Sequence, residues 1–276
     1  MPGNLTQRIL TAVLLIPLSV AAIFALPPPF FVLLLAAIIA VGAWEWARLA
    51  RLSAATRFVF GVTMLVAVLI EAGGLLPPAA RHAAAAAAVI WWLVAAVWVA
   101  RFHGGTAVIP PWQGMTCGVL VLAPPLLALA ALHDQPHFGP GYVLFLLVLI
   151  WSADSGAYFV GRRFGRRKLA PRVSPGKTWE GVAGGMAAAA LAAWIGGRLL
   201  GLSNGAWRWF LPLCLVVVAF SIVGDLLESL FKRAAGVKDS GHLLPGHGGA
   251  LDRIDSLTAA APAFYLGLSL LEWPGS

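Results

Sequence analysis

The chain has 276 residues, of which 60% are hydrophobic and 11% charged, against roughly 45–50% and 25% in soluble globular domains. With a mean hydropathy of +0.87, charge is too scarce to cover a water-exposed surface, which excludes soluble, disordered, collagen-like and disulfide-scaffold architectures and leaves an all-α polytopic integral membrane protein. The net charge of +8 then reads first as membrane topology and as attraction to anionic substrates, not as a nucleic-acid footprint.

A helix needs roughly 17 to 25 apolar residues to cross a hydrocarbon core of about 30 Å. Nine runs meet this, near residues 8–27, 29–49, 58–76, 82–100, 114–132, 141–160, 179–200, 209–230 and 256–272. The Ala-rich fourth run is the weakest. With the N-terminus cytoplasmic and the C-terminus outside, sixteen of the nineteen Lys and Arg fall in inside segments, leaving Arg81, Arg198 and Arg208 outside. That asymmetry is the positive-inside pattern. Arg8 ahead of an apolar run also suits a signal peptide, but the run is long and lacks a small-x-small site, so it is expected to be retained. The pairs Pro77-Pro78 and Pro110-Pro111 and the triplet Pro27-Pro28-Pro29 read as turns between helices.

Two regions of unequal content follow: about five N-terminal transmembrane helices over 1–140, and a C-terminal catalytic region over 141–276 with cytoplasmic loops 161–178 and 231–255. In the first, Glu45 between Trp44 and Trp46 reads as an interfacial carboxylate, and Glu71 is placed to reach the outer interface. His82, His103, His133 and His137 show no mutual metal-ligand spacing and read as solvated. Cys117 and Cys214 lie inside apolar runs and read as packing residues.

From Trp151 onward ionisable groups stand within or against apolar helices, which in a membrane needs a functional reason. The first cluster is Asp154-Ser155-Gly156-Ala157-Tyr158. Asp154 lies eight residues before Arg162, about 12 Å along a helix, as a polar cavity wall or as a partner of a loop arginine. The second is the basic run Arg162 to Arg172 followed by Ser174-Pro175-Gly176-Lys177-Thr178. A phosphate-loop reading fails, because that motif needs Gly where the chain has Pro171 and no strand is expected before it. A Gly, a Lys and a hydroxyl at a helix start remain, suited to phosphate or, for Thr178 or Ser174, to an N-cap.

The third cluster is the densest. Asp225, Glu228, Ser229 and Lys232 are spaced i, i+3, i+4, i+7 and share a helix face. Arg233, Lys238 and Asp239 follow, then a Gly-rich non-helical stretch with His242, His247, Gly248 and Gly249, and Asp252-Arg253-Ile254-Asp255 opens the last span. Taken singly, Asp252 reads as an N-cap and Asp255 as a first-turn charge. Residues 221–257 carry a net −1 and residues 151–181 a net +5. Clustered carboxylates with interleaved bases are what a Mg²⁺ site for phosphoryl chemistry needs, since oxygen ligands hold the hard cation against phosphate oxygens.

Ser229-x-x-Lys232-Arg233, Lys238-Asp239-x-Gly241 and Leu244-Pro245-x-His247-Gly248-Gly249-x-x-Asp252-Arg253-Ile254-Asp255 together resemble the signature of the phosphatidate cytidylyltransferases (CDP-diacylglycerol synthases). Asp154 to Tyr158 and Ser174 to Gly181 also look like that family, so the resemblance spans residues 151–255. Ala250 departs from it, where a branched apolar residue is expected. The resemblance implies a multi-pass enzyme of a bacterial inner membrane that joins CTP and phosphatidate on its cytoplasmic side, yielding CDP-diacylglycerol and pyrophosphate, with Mg²⁺ required.

On that footing Asp225, Asp252 and Asp255 are expected to hold one or two divalent ions, with a monovalent cation as an additional option and Asp239 as a further ligand or positioner. Lys232, Arg233, Lys238 and Arg253 are expected to neutralise triphosphate and pyrophosphate. Asp154, Ser174, Lys177, Thr178, Ser229 and His247 line the substrates, His247 alternatively being a turn histidine. The expected partners are CTP, phosphatidate and membrane lipids, with no nucleic acid; a homodimer enters by family analogy. Two rivals do worse. A transporter calls for ionisable groups near the bilayer centre in corresponding halves, and a CDP-alcohol phosphotransferase calls for a continuation that Asp154-Ser155-Gly156 lacks.

Overall fold

In hydrocarbon every backbone N–H and C=O must bond within the protein, so apolar runs of this length can only be helices. The computed structural model describes residues 3–102, 109–202, 205–241, 243 and 248–270, with side chains from residue 13 onward. Over these the chain forms α1 (Gly3–Ala25), α2 (Pro28–Leu49), α3 (Ala54–Ala72), α4 (Pro78–Arg101), α5 (Pro111–His133), α6 (Gly139–Phe164), β1 (Lys168–Ala170), β2 (Ser174–Thr178), α7 (Trp179–Leu199), α8 (Trp207–Ala235) and α9 (Leu251–Leu270). Seven of them, α2 to α8, are long and apolar enough to cross a membrane. In α1 the apolar stretch with described side chains is Val13–Ala25.

The ninth expected span differs from the rest. α9 carries Asp252, Arg253 and Asp255 near its start and packs against α2, α4, α5, α6 and α8. Its Ala259, Ala260, Ala261 and Phe264 are fully enclosed, so it is the central helix of the bundle. The two halves of the chain are therefore interlocked around it.

Local signals set the helix ends. Pro28, Pro78 and Pro111 each occupy a first helical position, where the missing N–H is no loss; the proline pairs thus start helices. Ser53 caps α3 by accepting from Thr56 N, and Gly236 ends α8 in the left-handed region at φ 72°. The segment expected as a plain basic loop is instead an antiparallel hairpin, with Lys168 opposite Thr178 and Ala170 opposite Ser174.

Helices α6 and α7 pack backbone to backbone. A Cβ on Gly156 would stand 2.6 Å from the Ala188 Cβ, and one on Gly185 2.9 Å from the Ala153 carbonyl. Small residues make such close approach between membrane helices achievable. In α2, buried Trp46 donates from Nε1 to the Gly114 carbonyl at 2.8 Å and lies 4.5 Å from the Phe231 ring, tying α2, α5 and α8 at one end. Cys117 and Cys214 are buried and unpaired.

Two readings of the N-terminal half are corrected. His133 is buried, with Nε2 2.9 Å from the Ile23 carbonyl and its ring stacked on Phe31 at 4.0 Å. Glu71, in the last turn of α3, is buried and paired with Arg81 at 2.9 Å: an enclosed carboxylate acquires a counter-charge instead of being solvated. His82 stacks on Tyr265 with ring centroids 5.4 Å apart.

Candidate active site

Helices α8 and α9 cross at Gly224, where a Cβ would run into the Asp255 carbonyl. That contact sets Asp225 beside the second turn of α9. Ser229, one turn on, donates from Oγ to Asp225 Oδ1 at 3.2 Å, and Lys177 Nζ lies 2.7 Å from Asp225 Oδ2. Lys177 is carried by β2, and the hairpin is pinned at two points. Glu180 accepts the Arg166 and Arg167 N–H groups at 3.0 and 3.1 Å, and Arg233 Nε donates to the Val173 carbonyl at 3.2 Å. Thr178 is the N-cap of α7, accepting from Gly181 N at 3.1 Å.

A cavity of about 490 Å³ opens between α6, α7 and α8. Asp154, Arg162, Ser174, Lys177 and Asp225 give it a polar part, and Ala153, Val182, Val218 and Ile222 an apolar one. Asp154 lines this cavity within electrostatic range of Asp225, Lys177 and Arg253. Arg162 donates to the Tyr158 hydroxyl at 2.8 Å.

Behind the cavity the charges are committed to one another. Lys232 Nζ lies 2.6 Å from Asp252 Oδ1 and 3.1 Å from Glu228 Oε1. Asp252 Oδ2 accepts from Ser240 N, Ser240 Oγ and Gly249 N at 2.9, 3.0 and 2.8 Å. Asp252 therefore organises the loop before α9, in the manner of the capping alternative. Lys238, Asp239 and Arg253 are exposed. His247 and His242 lie outside the described residues.

Glu45 is where the sequence reading is overturned. Its carboxylate is fully buried and accepts from Ala250 N at 3.0 Å, Leu251 N at 2.8 Å and Ser240 Oγ at 3.0 Å. The glycines of the loop fit around these acids. A Cβ on Gly241 or Gly249 would strike Glu45, and one on Gly248, at φ 80°, would stand 2.6 Å from Asp252 Oδ2. Close backbone approach is needed here, and it is to carboxylates of the protein.

The implied Mg²⁺ can be tested against these donors. Mg²⁺ is usually held by one or two carboxylates, with phosphates and waters completing an octahedron. Asp225, on the cavity wall, and Asp255, whose carbonyl meets Gly224 at the helix crossing and whose carboxylate is within electrostatic range of Asp225, are the pair that fits that description. Among the described residues no group of three or more His, Cys, Asp or Glu side chains is arranged to hold an ion, so a cation here would draw its remaining ligands from substrate and water. Asp252, with protein donors on both oxygens, fits less well.

Acids and bases gathered at one end of an apolar helix bundle, beside a mostly apolar cavity with a charged mouth of Asp154, Lys177 and Asp225, define a membrane enzyme for anionic, partly apolar substrates. The model of the cytidylyltransferase family matches residues 6–271, and the chain belongs to that family. It is 46% identical to the phosphatidate cytidylyltransferase of Pseudomonas aeruginosa, with 98% of each chain covered. It is 40% identical to that of Haemophilus influenzae over 94% of this chain and 97% of the relative. With that of Bacillus subtilis it shares 44% over about half of each chain.

Proposed function

We propose that the chain transfers the cytidylyl group of CTP to phosphatidate, releasing pyrophosphate and leaving CDP-diacylglycerol in the membrane. The observation that carries this is the cavity between α6, α7 and α8: its polar groups suit phosphates, and its apolar wall of Ala153, Val182, Val218 and Ile222 suits an acyl chain. A phosphomonoester has a second pKa of about 6, so the lipid phosphate is mostly dianionic at neutral pH and no general base is needed. One of its oxygens bonds to the α-phosphorus of CTP as the bond from that phosphorus to the bridging oxygen breaks, and pyrophosphate leaves with the electron pair. The protein's part is alignment and charge stabilisation.

Lys177 and Ser174 receive the lipid phosphate at the cavity, and Ser229 holds Asp225 in its orientation. Asp225 and Asp255 would hold Mg²⁺, which when bound supplies positive charge to the phosphate oxygens. Exposed Lys238 and Arg253 meet the triphosphate from the open side. Lys232 acts through Asp252 and Glu228, and Arg233 through the hairpin. The site faces the cytoplasm of a bacterial inner membrane, where CTP is found; the skew of Lys and Arg toward the loops at this end supports that side.

The test is purified protein in detergent with phosphatidate, Mg²⁺ and each nucleoside triphosphate in turn, read by pyrophosphate release. Release with CTP that depends on phosphatidate is expected. Release without lipid, or equal release with ATP, would overturn the assignment.

A further inference from the structure

The position of Glu45 assigns the N-terminal half a part in the reaction. Glu45 belongs to α2, yet its three donors, Ser240, Ala250 and Leu251, lie 195 to 206 residues later. They frame the loop before α9 and the first residue of that helix. A buried carboxylate is tolerated only when its oxygens are well bonded, and here backbone N–H groups at a helix N-terminus, with their partial positive charge, supply that. Among the described residues no Lys or Arg pairs with Glu45. Its charge is balanced by the loop and helix it holds.

Three further observations make the grip specific. The Ser240 hydroxyl lies 3.0 Å from both Glu45 Oε2 and Asp252 Oδ2, so the two carboxylates share one donor. Gly241 and Gly249 leave no room for a Cβ against Glu45. The neighbouring Trp46 is locked between α5 and α8, which fixes the turn of α2 from which Glu45 projects. A second tie from the same segment, Arg51 donating to the Ala235 carbonyl at 3.1 Å, secures the end of α8.

We infer that Glu45 is a positioning residue for the transfer reaction: it sets the start of α9, and through it Arg253 and Asp255, relative to Asp225. The inference rests on the cytidylyltransferase reading of the site. Gln is nearly isosteric with Glu but replaces one acceptor oxygen by a donor, setting N–H against N–H. In Glu45→Gln, kcat should fall by about 10- to 100-fold, the loss of one or two hydrogen bonds to a charged acceptor. KM for phosphatidate should stay within about threefold, since Glu45 does not line the cavity.

The experiment compares wild type, Glu45→Gln and Glu71→Gln, with kcat and both KM values normalised to folded protein, thermal midpoints, and amide hydrogen exchange over 248–257. Glu71, buried about 25 Å along α3 from its site-end start, is the purely structural control. Its variant should lose thermal stability while folded enzyme turns over as wild type. Faster exchange over 248–257 together with the kcat loss in Glu45→Gln is the supporting result. A Glu45→Gln enzyme with kcat within twofold of wild type, or one that matches Glu71→Gln in losing stability alone, overturns the inference. If Glu45→Gln does not accumulate, Ser240→Ala removes one donor to the carboxylate and should lower kcat about 10-fold; no change there overturns it equally. Wild type that makes no CDP-diacylglycerol would instead sink the functional reading.

Discussion

Replacing Asp252 by Asn probes the loop before α9 at its most connected point. The Asp252 side chain is 6% exposed and its partner Lys232 12%. If the Asn oxygen takes the Oδ2 position, its amide faces the Lys232 ammonium where Oδ1 stood at 2.6 Å. Losing a charge-assisted bond and stranding part of a buried cation then costs about 3 kcal/mol. If the amide flips, Lys232 keeps an acceptor but Ser240 N and Gly249 N lose theirs, at about 1 kcal/mol each, while Ser240 Oγ keeps Glu45 as its acceptor. The two orientations cost about 2 to 3 kcal/mol. That is roughly a 30- to 100-fold change in the equilibrium constant that holds Ser240 and Gly249 against the start of α9. Labelled CTP incorporation into lipid, measured on detergent-purified protein, should fall by more than threefold and by up to about that factor, with a lowered thermal midpoint. Asp225→Asn, by contrast, should abolish incorporation without lowering the midpoint, because its pair with Lys177 is about one-quarter exposed and such pairs add little stability. Asp252→Asn with unchanged midpoint and turnover within about threefold would refute this reasoning.

Other outcomes follow from the same geometry. Lys177→Met should lower turnover about 100-fold with normal folding, since it removes the cation at the cavity; kinetics in mixed micelles with varied phosphatidate check it. Gly248→Ala should destabilise by about 1 to 3 kcal/mol, from its φ of 80° and the proximity of Asp252 Oδ2, read as a drop in thermal midpoint. Arg81→Ala strands the buried Glu71 carboxylate and should cost about 3 kcal/mol of stability while folded enzyme keeps its turnover. Chelation of divalent cations should stop the reaction, and added Mg²⁺ should restore it, followed by pyrophosphate release.

Most of the helical framework was legible in the sequence because twenty-residue apolar runs have one solution in lipid. The i, i+4 pair Asp225 and Ser229 was legible for the same local reason: spacing puts both on one face, and they bond. Glu45 was not. Its partners are some 200 residues away, and flanking tryptophans imitate an interfacial belt, though Trp46 faces the core. The β1–β2 hairpin was missed because its short strands, rich in bases and broken by Pro175-Gly176, show no period-two alternation. Gly248 and Gly249 signalled close approach correctly but not to what, since sequence alone does not tell a bound phosphate from the protein's own carboxylate. Asp252 and Asp255 share a spacing, yet Asp252 is drawn back by Lys232 and the loop amides while Asp255 stays at the α8 crossing.

The most direct test follows the fate of each phosphorus of CTP. Purified wild type with Mg²⁺ and phosphatidate is given CTP labelled at the α- or at the γ-phosphorus, and lipid and aqueous phases are counted separately. Attack at the α-phosphorus should carry the α label into lipid and the γ label into pyrophosphate, and Asp225→Asn should do neither. Label from the γ position in the lipid, or α label retained in water with wild-type protein, would contradict cytidylyl transfer at this site.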